Sequence, residues 1–335
     1  MNHKQEILDA LNRENEGQAP PALFTQTGTV EQMEASGSYW PDANFNAELM
    51  MNLALQPSKL YGFATARIPF DITCQAERLG CTVQRGTQNS QPAVIGSPWS
   101  TGEFMDPPDD LMSVEEFLSG GRVAMHIDVA KRISKEHPNL FLTSSMIGPQ
   151  GVAAYLVGME NFMMGMFMEP DMMLKWVERV APYQYAYAQE LSIASDNVMV
   201  IVEGAEEVMP MELFDIFALP FESKVFENIN ESYSLAHSCG QTSNVLEKLS
   251  GLGESILSVE SGGDPQNIVD KVGDKVLLAG GVDPIATLFQ GTPEKIVASA
   301  KKASDAGYQI IMPECGVPPM TKGENLRALS DYRKY

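Results

Sequence analysis

The chain has 335 residues, of which 44% are hydrophobic and 20% charged, a globular composition that excludes intrinsic disorder. Its net charge is -21, from 44 acidic and 23 basic residues, and this negative field disfavours nucleic acids and anionic membranes as partners. No run of about 18 apolar residues occurs, and residues 1–17 form a polar amphipathic segment rather than the apolar core of a signal peptide, so we expect a cytoplasmic protein.

Short apolar segments with turn residues near their ends predict eight β-strands, which follow a first helix at residues 4–14. Glycine, proline or a polar residue lies at or near the end of each segment, which is typical of a strand that stops at a turn. In chain order the predicted strands are 22–27, 64–71, 140–146, 198–204, 233–239, 256–259, 276–279 and 309–312.

Helical patterns fill most of the intervals, so the predicted strands and helices alternate along the chain. The predicted helices cover residues 30–35, 43–55, 114–136, 152–195, 211–231, 245–249, 265–272, 294–306 and 324–331. Because proline lacks an N–H group, we expect breaks near Pro170 and Pro182 and a kink at Pro220.

The connection between the second and third predicted strands, residues 72–138, is too long for an ordinary turn. We expect a short helix that ends at Leu79, a hairpin of 82–85 with 93–96, and helices after it. The sequence therefore predicts an elaboration on one face of the domain.

Parallel strands need crossover helices, and eight such strands close into a ring without edges. The sequence thus predicts one α/β domain over residues 1–335, a (β/α)8 TIM barrel with an N-terminal helical extension and an elaborated connection between strands two and three. A doubly wound open sheet is the alternative. In a barrel the carboxyl ends of the strands form the working face. The polar residues that fall there are Asp71, Glu203, His237, Cys239, Glu260, Asp283 and Cys315.

Three of these residues, His237, Cys239 and Cys315, lie where two predicted strands give way to glycine turns. One imidazole nitrogen and two thiolates are ligands that zinc prefers, and three protein ligands leave a fourth position open. The alternative is a core histidine with two buried thiols, because free cysteine is among the most buried residue types. Their position at strand ends favours zinc. The other two cysteines, Cys74 and Cys81, are expected to be structural thiols.

Three carboxylates at strand ends, Asp71, Glu203 and Glu260, are candidate catalytic residues. They could act as general acids or bases, orient the metal ligands through hydrogen bonds, or provide an extra ligand. The alternative for each is a hydrogen bond to the backbone at the end of its strand. The sequence leaves these roles open.

With these residues in place, the chain resembles the methylcobamide:coenzyme M methyltransferases of the uroporphyrinogen decarboxylase superfamily. The resemblance runs nearly end to end, and the N-terminal segment is most similar to members that serve methylamine-dependent pathways. The matching motifs are Phe24-Thr25-Gln26-Thr27, Tyr39-Trp40-Pro41, Pro69-Phe70-Asp71-Ile72-Thr73, Ser145-Met146-Ile147-Gly148-Pro149, His237-Ser238-Cys239-Gly240, Asp283-Pro284, Gly291-Thr292-Pro293-Glu294 and Cys315-Gly316.

The resemblance implies that His237, Cys239 and Cys315 bind zinc. It also implies the reaction: the thiol of coenzyme M joins the zinc, loses its proton and attacks the methyl group of a methyl-Co(III) corrinoid that a separate protein carries. Such enzymes serve methanogenesis from methylated compounds. The long connection 72–138 and the methionine-rich segment 159–173 are candidates for the rim on which the methylated corrinoid protein docks. Candidate cofactor-binding residues within the matching motifs are Gln26, Met146 and Asp283.

Three alternatives stay open at this point. The methyl acceptor could be another thiol or tetrahydrofolate. A porphyrinogen decarboxylase shares the fold but should carry arginines for substrate carboxylates, and Arg67 is the main arginine near a predicted strand end. A non-catalytic corrinoid-binding protein with a structural zinc is the third. The sequence also departs from the family at Glu314, a carboxylate beside Cys315 where members often have glycine, and this charge would lower the Lewis acidity of the zinc.

Overall fold

The computed structural model describes residues 3–109, 111–205 and 209–335. Within these ranges seven parallel strands form one curled sheet, and each strand pairs with the next one along the chain. An antiparallel hairpin forms a separate small sheet in the long connection. The strands of the main sheet are β1 (Thr65–Ile68), β4 (Phe141–Ile147), β5 (Asn197–Ile201), β6 (Tyr233–Ser238), β7 (Ile256–Val259), β8 (Leu277–Val282) and β9 (Ile310–Pro313), and those of the hairpin are β2 (Thr82–Gln84) and β3 (Ala93–Gly96).

One predicted strand, the first at 22–27, is not a regular strand in the structure. Its segment makes a single parallel bridge, from Pro21 to Ile311 of β9, and the Ala22 amide donates to the Ile311 carbonyl at 2.9 Å. On the other side the Leu23 amide donates to the Thr65 hydroxyl of β1 at 3.2 Å rather than to a backbone carbonyl. Proline has no amide to add to a ladder, so the segment closes the ring without a regular strand. The result is a TIM-barrel-like fold, as predicted.

Helices alternate with the strands and cover the outside of the sheet. They are α1 (His3–Leu11), α2 (Val30–Ser36), α3 (Ala47–Ala54), α4 (Gln56–Tyr61), α5 (Cys74–Arg78), α6 (Val114–Leu118), α7 (Gly121–Glu136), α8 (Pro149–Val157), α9 (Met159–Met168), α10 (Pro170–Ala194), α11 (Met211–Phe217), α12 (Leu219–Glu227), α13 (Leu246–Leu249), α14 (Pro265–Val272), α15 (Pro293–Ala306) and α16 (Gly323–Ser330). Short 3-10 turns cover Asp42–Asn44 and Tyr332–Lys334, and a π-helical turn covers Pro284–Phe289. None of the helices in the described ranges has the length and apolar character needed to span a membrane.

The prolines act differently from one another in the long helical tracts. Pro170 begins α10, as expected, and the break between α8 and α9 falls at Gly158, whose φ of 92° favours glycine. Pro182 lies inside α10, which continues through it, so the predicted break there is wrong. Pro220 separates two helices, because it lies in the first turn of α12.

Two layers of apolar side chains support the mouth of the barrel, which is the face formed by the carboxyl ends of the strands. An inner cluster fills the barrel interior and includes residues from the closing segment and from every strand of the main sheet except β1, among them Phe24, Phe141, Met199, Leu235, Ile256, Ala279 and Ile310. The larger cluster lies between the sheet and the helices. Because side chains alternate along a strand, Ser145, His237 and Ser258 also face the interior, above the apolar layer.

Candidate metal centre

The structure brings His237, Cys239 and Cys315 together at the mouth of the barrel. His237 lies near the end of β6, Cys239 follows that strand, and Cys315 follows β9. The His237 Nε2 atom is 3.2 Å from the Cys239 sulfur, which is 3.0 Å from the Cys315 sulfur. The three ligand atoms all lie within 4.8 Å of one another. Although β7 and β8 separate the two strands in the ring, their ends lean across the mouth and meet.

The His237 ring is held in one orientation by a residue that sequence reasoning missed. Its Nδ1 atom is 3.1 Å from the hydroxyl of Ser258 on the neighbouring strand β7, in register with His237. With the proton on Nδ1 and donated to Ser258, the Nε2 lone pair faces the two sulfurs, as metal ligation requires. The sequence does carry a signal for Ser258. It lies two residues before Glu260, so alternation along β7 places both side chains on the inward face of the strand.

The two thiols are hydrogen-bonded to each other at 3.0 Å, and this bond moves their pKa values in opposite directions. The hydrogen bond with Cys239 lowers the pKa of Cys315, whereas the same bond and burial raise the pKa of Cys239. The negative charges of Glu260 and Glu203 raise the pKa of Cys239 further. A bound cation would relieve this accumulation of negative charge, so the electrostatics and the donor set both fit a metal ion such as zinc.

The three candidate catalytic carboxylates have different surroundings. Glu260 accepts a hydrogen bond from the Gly240 amide at 2.9 Å, which fixes the turn directly after Cys239. Glu203 lies close enough to Cys239 to interact electrostatically. Asp71 is buried and pairs with Arg122 at 2.7 Å, while its other oxygen accepts from the Thr73 amide and hydroxyl at 2.8 and 2.6 Å. Two carboxylates therefore act on Cys239 through their charge, and the third is occupied by an internal ion pair.

The three candidate cofactor-binding residues are also placed differently. Gln26 is buried at the mouth, where its Oε1 atom accepts a hydrogen bond from the Gln91 side chain at 2.9 Å. The same oxygen packs against Gly316, since a Cβ atom added to this glycine would lie 3.1 Å from it. Met146 packs in the large core cluster between sheet and helices. Asp283 accepts hydrogen bonds from the amides of residues 285 and 286 and thereby caps the π-helical turn. Of the three, Gln26 is the one that the structure brings beside Cys315.

Glu314, the unusual neighbour of Cys315, turns toward β8. The side chains of Tyr308 and Glu314 both pack against Gly280 of this strand. A Cβ atom added to Gly280 would lie 3.3 Å from Tyr308 and 3.5 Å from Glu314. Burial raises the pKa of the Glu314 carboxyl, and hydrogen bonds with Ser261 oppose this in part. The carboxylate does not join the group formed by the imidazole and the two thiols.

Comparison with known proteins places the chain in a family. The family model described as uroporphyrinogen decarboxylase (URO-D) matches residues 2–335. The chain is 32% identical to the methylcobamide:CoM methyltransferase MtbA of Methanosarcina mazei, over 99% of this chain and 97% of that one. It is 30% identical to the methylcobamide:CoM methyltransferase MtaA of Methanosarcina barkeri, over 97% and 96% of the two chains.

A solved structure agrees with this comparison. The fold superimposes on that of a methyltransferase from Methanosarcina mazei with a TM-score of 0.90 and 31% identity, over 99% of this chain and 98% of the other. Sequence and fold thus match over essentially the whole length. The chain belongs to the uroporphyrinogen decarboxylase family.

Proposed function

We propose that this protein is a methyltransferase that moves a methyl group from a methylated corrinoid to the thiol of coenzyme M, and that zinc at His237, Cys239 and Cys315 supports the transfer. The observation that carries the proposal is the convergence of these three ligand atoms within 4.8 Å at the mouth of the barrel. The names of the relatives, which are methylcobamide:CoM methyltransferases at 30–32% identity, support the choice of donor and acceptor.

The donor set suits a catalytic rather than a closed structural zinc site. His237 is buried and the two cysteines are partly accessible, so the group opens to the mouth on the thiol side. Three protein ligands leave one position for a substrate atom. When bound, zinc supplies a Lewis acid that stabilises a thiolate at neutral pH without redox chemistry of its own.

The residues of this chain hold the ligands and receive the proton. Ser258 orients His237, and Glu260 fixes the turn after Cys239. The charges of Glu203 and Glu260 act on Cys239, and we assign these carboxylates as acceptors for the proton that the substrate thiol releases. The thiolate sulfur then bonds to the methyl carbon, the carbon–cobalt bond breaks, and its electron pair stays on cobalt, which passes from Co(III) to Co(I).

The corrinoid protein must reach the mouth from outside, so we propose that an apolar surface assists its docking. Helix α9 exposes Met164, Phe167 and Met168, with 44%, 68% and 67% of their surfaces accessible. Exposed methionine and aromatic side chains are typical of surfaces that adapt to a partner. This role for α9, like that of the 72–138 connection, is a prediction from the resemblance.

The proposal is tested by metal analysis combined with a methyl-transfer assay. We expect about one zinc per chain and transfer from methylcobalamin to coenzyme M, followed by the absorbance change of the corrinoid. Cys315→Ala should lose both zinc and activity. Cys81→Ala is the matched control, because Cys81 is a buried thiol whose contact is the Tyr155 carbonyl. Full activity in a zinc-free Cys315→Ala protein would refute the metal role, and activity with every thiol except coenzyme M would refute the acceptor.

A further inference from the structure

The sheet is incomplete between β7 and β8 on the side of the mouth. These two strands share two register pairs, the second joining Leu257 to Leu278, whereas β6 with β7 and β8 with β9 share four pairs each. The ladder therefore stops two residues before β7 ends at Val259. Gly280 of β8 borders this gap, because a Cβ atom added to it would lie 3.9 Å from the Val259 carbonyl oxygen. The regular pairing of β7 with β8 thus ends before the two strands reach the mouth.

The side chain of Glu314, the residue before Cys315, reaches into this gap. The Glu314 amide donates to the Val282 carbonyl at 2.9 Å, so the backbone continues the pairing of β9 with β8. The side chain then packs against Gly280, and its carboxylate accepts hydrogen bonds from the amide and the hydroxyl of Ser261. Ser261 belongs to the loop after β7. Glu314 therefore crosses from β9 over β8 to the end of β7, and the glycine at position 280 leaves room for it.

The residue next to Ser261 holds the turn of the other thiol. Glu260 accepts a hydrogen bond at 2.9 Å from the Gly240 amide, directly after Cys239. The end of β7 thus contacts the Cys239 turn through Glu260 and the residue before Cys315 through Ser261. The two sulfurs lie 3.0 Å apart, although β6 and β9 are not neighbours in the sheet. These contacts form a path that joins the two thiol-bearing turns.

The surroundings of Glu314 show that its side chain is built into the fold. It is 2% exposed, and its Oε1 atom has no hydrogen-bond partner in the described ranges. Tyr308, which packs against the same glycine, is also buried, and its hydroxyl likewise has no partner among the described residues. Burying a carboxylate with one unpaired oxygen costs free energy of folding. This cost indicates a role other than overall stability.

We propose that Glu314 is a positioning residue that holds Cys315 at the distance from Cys239 at which both thiols bind one metal ion. The inference rests on the proposed function, which it extends to a residue outside the ligand set. Contacts behind the ligands orient them, and loss of such a contact typically lowers metal affinity about 10- to 100-fold. Glu314 acts across a whole strand, because its partner lies on the loop after β7.

The test separates the position of Cys315 from the charge beside it. Glu314→Ala removes the carboxylate, Glu314→Gln removes the charge but keeps an oxygen that can accept from Ser261, and Ser261→Ala removes the hydroxyl alone. Glu324→Ala is the control, because this exposed glutamate on α16 pairs with Lys322. Competition with a chelator measures the zinc affinity of each protein. The visible absorption of the Co(II)-substituted protein reports the geometry of the thiolate ligands.

In Glu314→Ala we expect the zinc affinity to fall about 10- to 100-fold and the thiolate-to-cobalt absorption to weaken. Glu314→Gln should bind zinc within about 3-fold of the wild type, as should the control. Ser261→Ala should show a smaller loss than Glu314→Ala, because the Ser261 amide still donates. Combined with Glu314→Ala it should cause no further loss, because both changes act on one contact.

A second measurement needs neither zinc nor turnover. Phenylarsine oxide binds two neighbouring thiols by forming two As–S bonds, and its oxygen leaves as water with the two thiol protons. Its affinity for the metal-free protein, with Cys239→Ser as the blank, therefore reports how well Cys239 and Cys315 are placed. We expect the affinity to be similar in the wild type and Glu314→Gln, lower in Ser261→Ala and lowest in Glu314→Ala.

An unchanged zinc affinity in Glu314→Ala would overturn the inference. An equal loss in Glu314→Ala and Glu314→Gln would also overturn it, because the charge rather than the position would then be responsible. If Glu314→Ala does not fold, Ser261→Ala decides, and an unchanged affinity in that variant counts against the inference. Failure of the proposed function looks different. If the wild type binds no zinc but the arsenical affinities follow the expected order, the positioning role stands and the metal assignment falls.

Discussion

Replacing Glu222 with glutamine should remove a specific part of the pH dependence of stability. Glu222 on α12 is 1% exposed, and its carboxylate packs on Gly148 and accepts from the Gln150 amide at the start of α8. Burial raises the pKa of this carboxyl from 4.5 to about 8. The folded state therefore binds a proton that the unfolded chain has released, and the free energy of unfolding falls as the pH rises through this window.

The size of the change in the free energy of unfolding follows from the shift in the pKa of Glu222. Each pKa unit corresponds to about 1.4 kcal/mol, so the wild type should lose about 1.4 kcal/mol per pH unit relative to Glu222→Gln between pH 4.5 and about 8. The two proteins should be similarly stable near pH 4.5, and the variant should be more stable by about 3 kcal/mol at pH 7.

Urea denaturation at several pH values measures this difference, because the contributions of all other groups cancel between the two proteins. Glu212→Gln, on the exposed face of α11, is the matched control and should run parallel to the wild type. Parallel curves for Glu222→Gln and the wild type would show that the buried carboxyl titrates normally and would refute the reasoning.

Two further predictions concern groups that hold the mouth in place. Ser258→Ala should weaken zinc binding by about 10- to 100-fold, because the hydroxyl orients His237, and competition with a chelator measures it; an unchanged affinity would exclude this role. Arg122→Met should lower the free energy of unfolding by about 3 to 5 kcal/mol in urea, because it leaves Asp71 buried without its partner; a loss below about 1 kcal/mol would contradict the pairing.

Most of the strands, and the convergence of His237, Cys239 and Cys315 at one face, could be predicted from the sequence because both depend on local patterns. An apolar run that ends in glycine marks a strand end, and barrel topology places all such ends on one face. The segment 22–27 has the same apolar pattern, yet it lacks a regular ladder. Its flanking prolines have no amide to donate, and the Leu23 amide bonds to a side chain instead.

The roles of individual polar residues could not be predicted in this way, because they depend on partners that are distant in the chain. Asp71 has the sequence position of a catalytic carboxylate, but Arg122 neutralises it from α7. Patterns along a strand show which way a side chain faces; only the assembled barrel shows what it meets.

The closure of the ring through Pro21 and Ile311 also sets the order in which the centre can form during synthesis. The chain leaves the ribosome from its N-terminus, and domains complete their structure only when the segments that close them have emerged. His237 and Cys239 emerge well before Cys315, which lies just beyond the strand that the closing segment contacts. A nascent chain therefore presents two of the candidate metal ligands while its ring is still open, and the third emerges together with the residues that make the last contacts of the barrel.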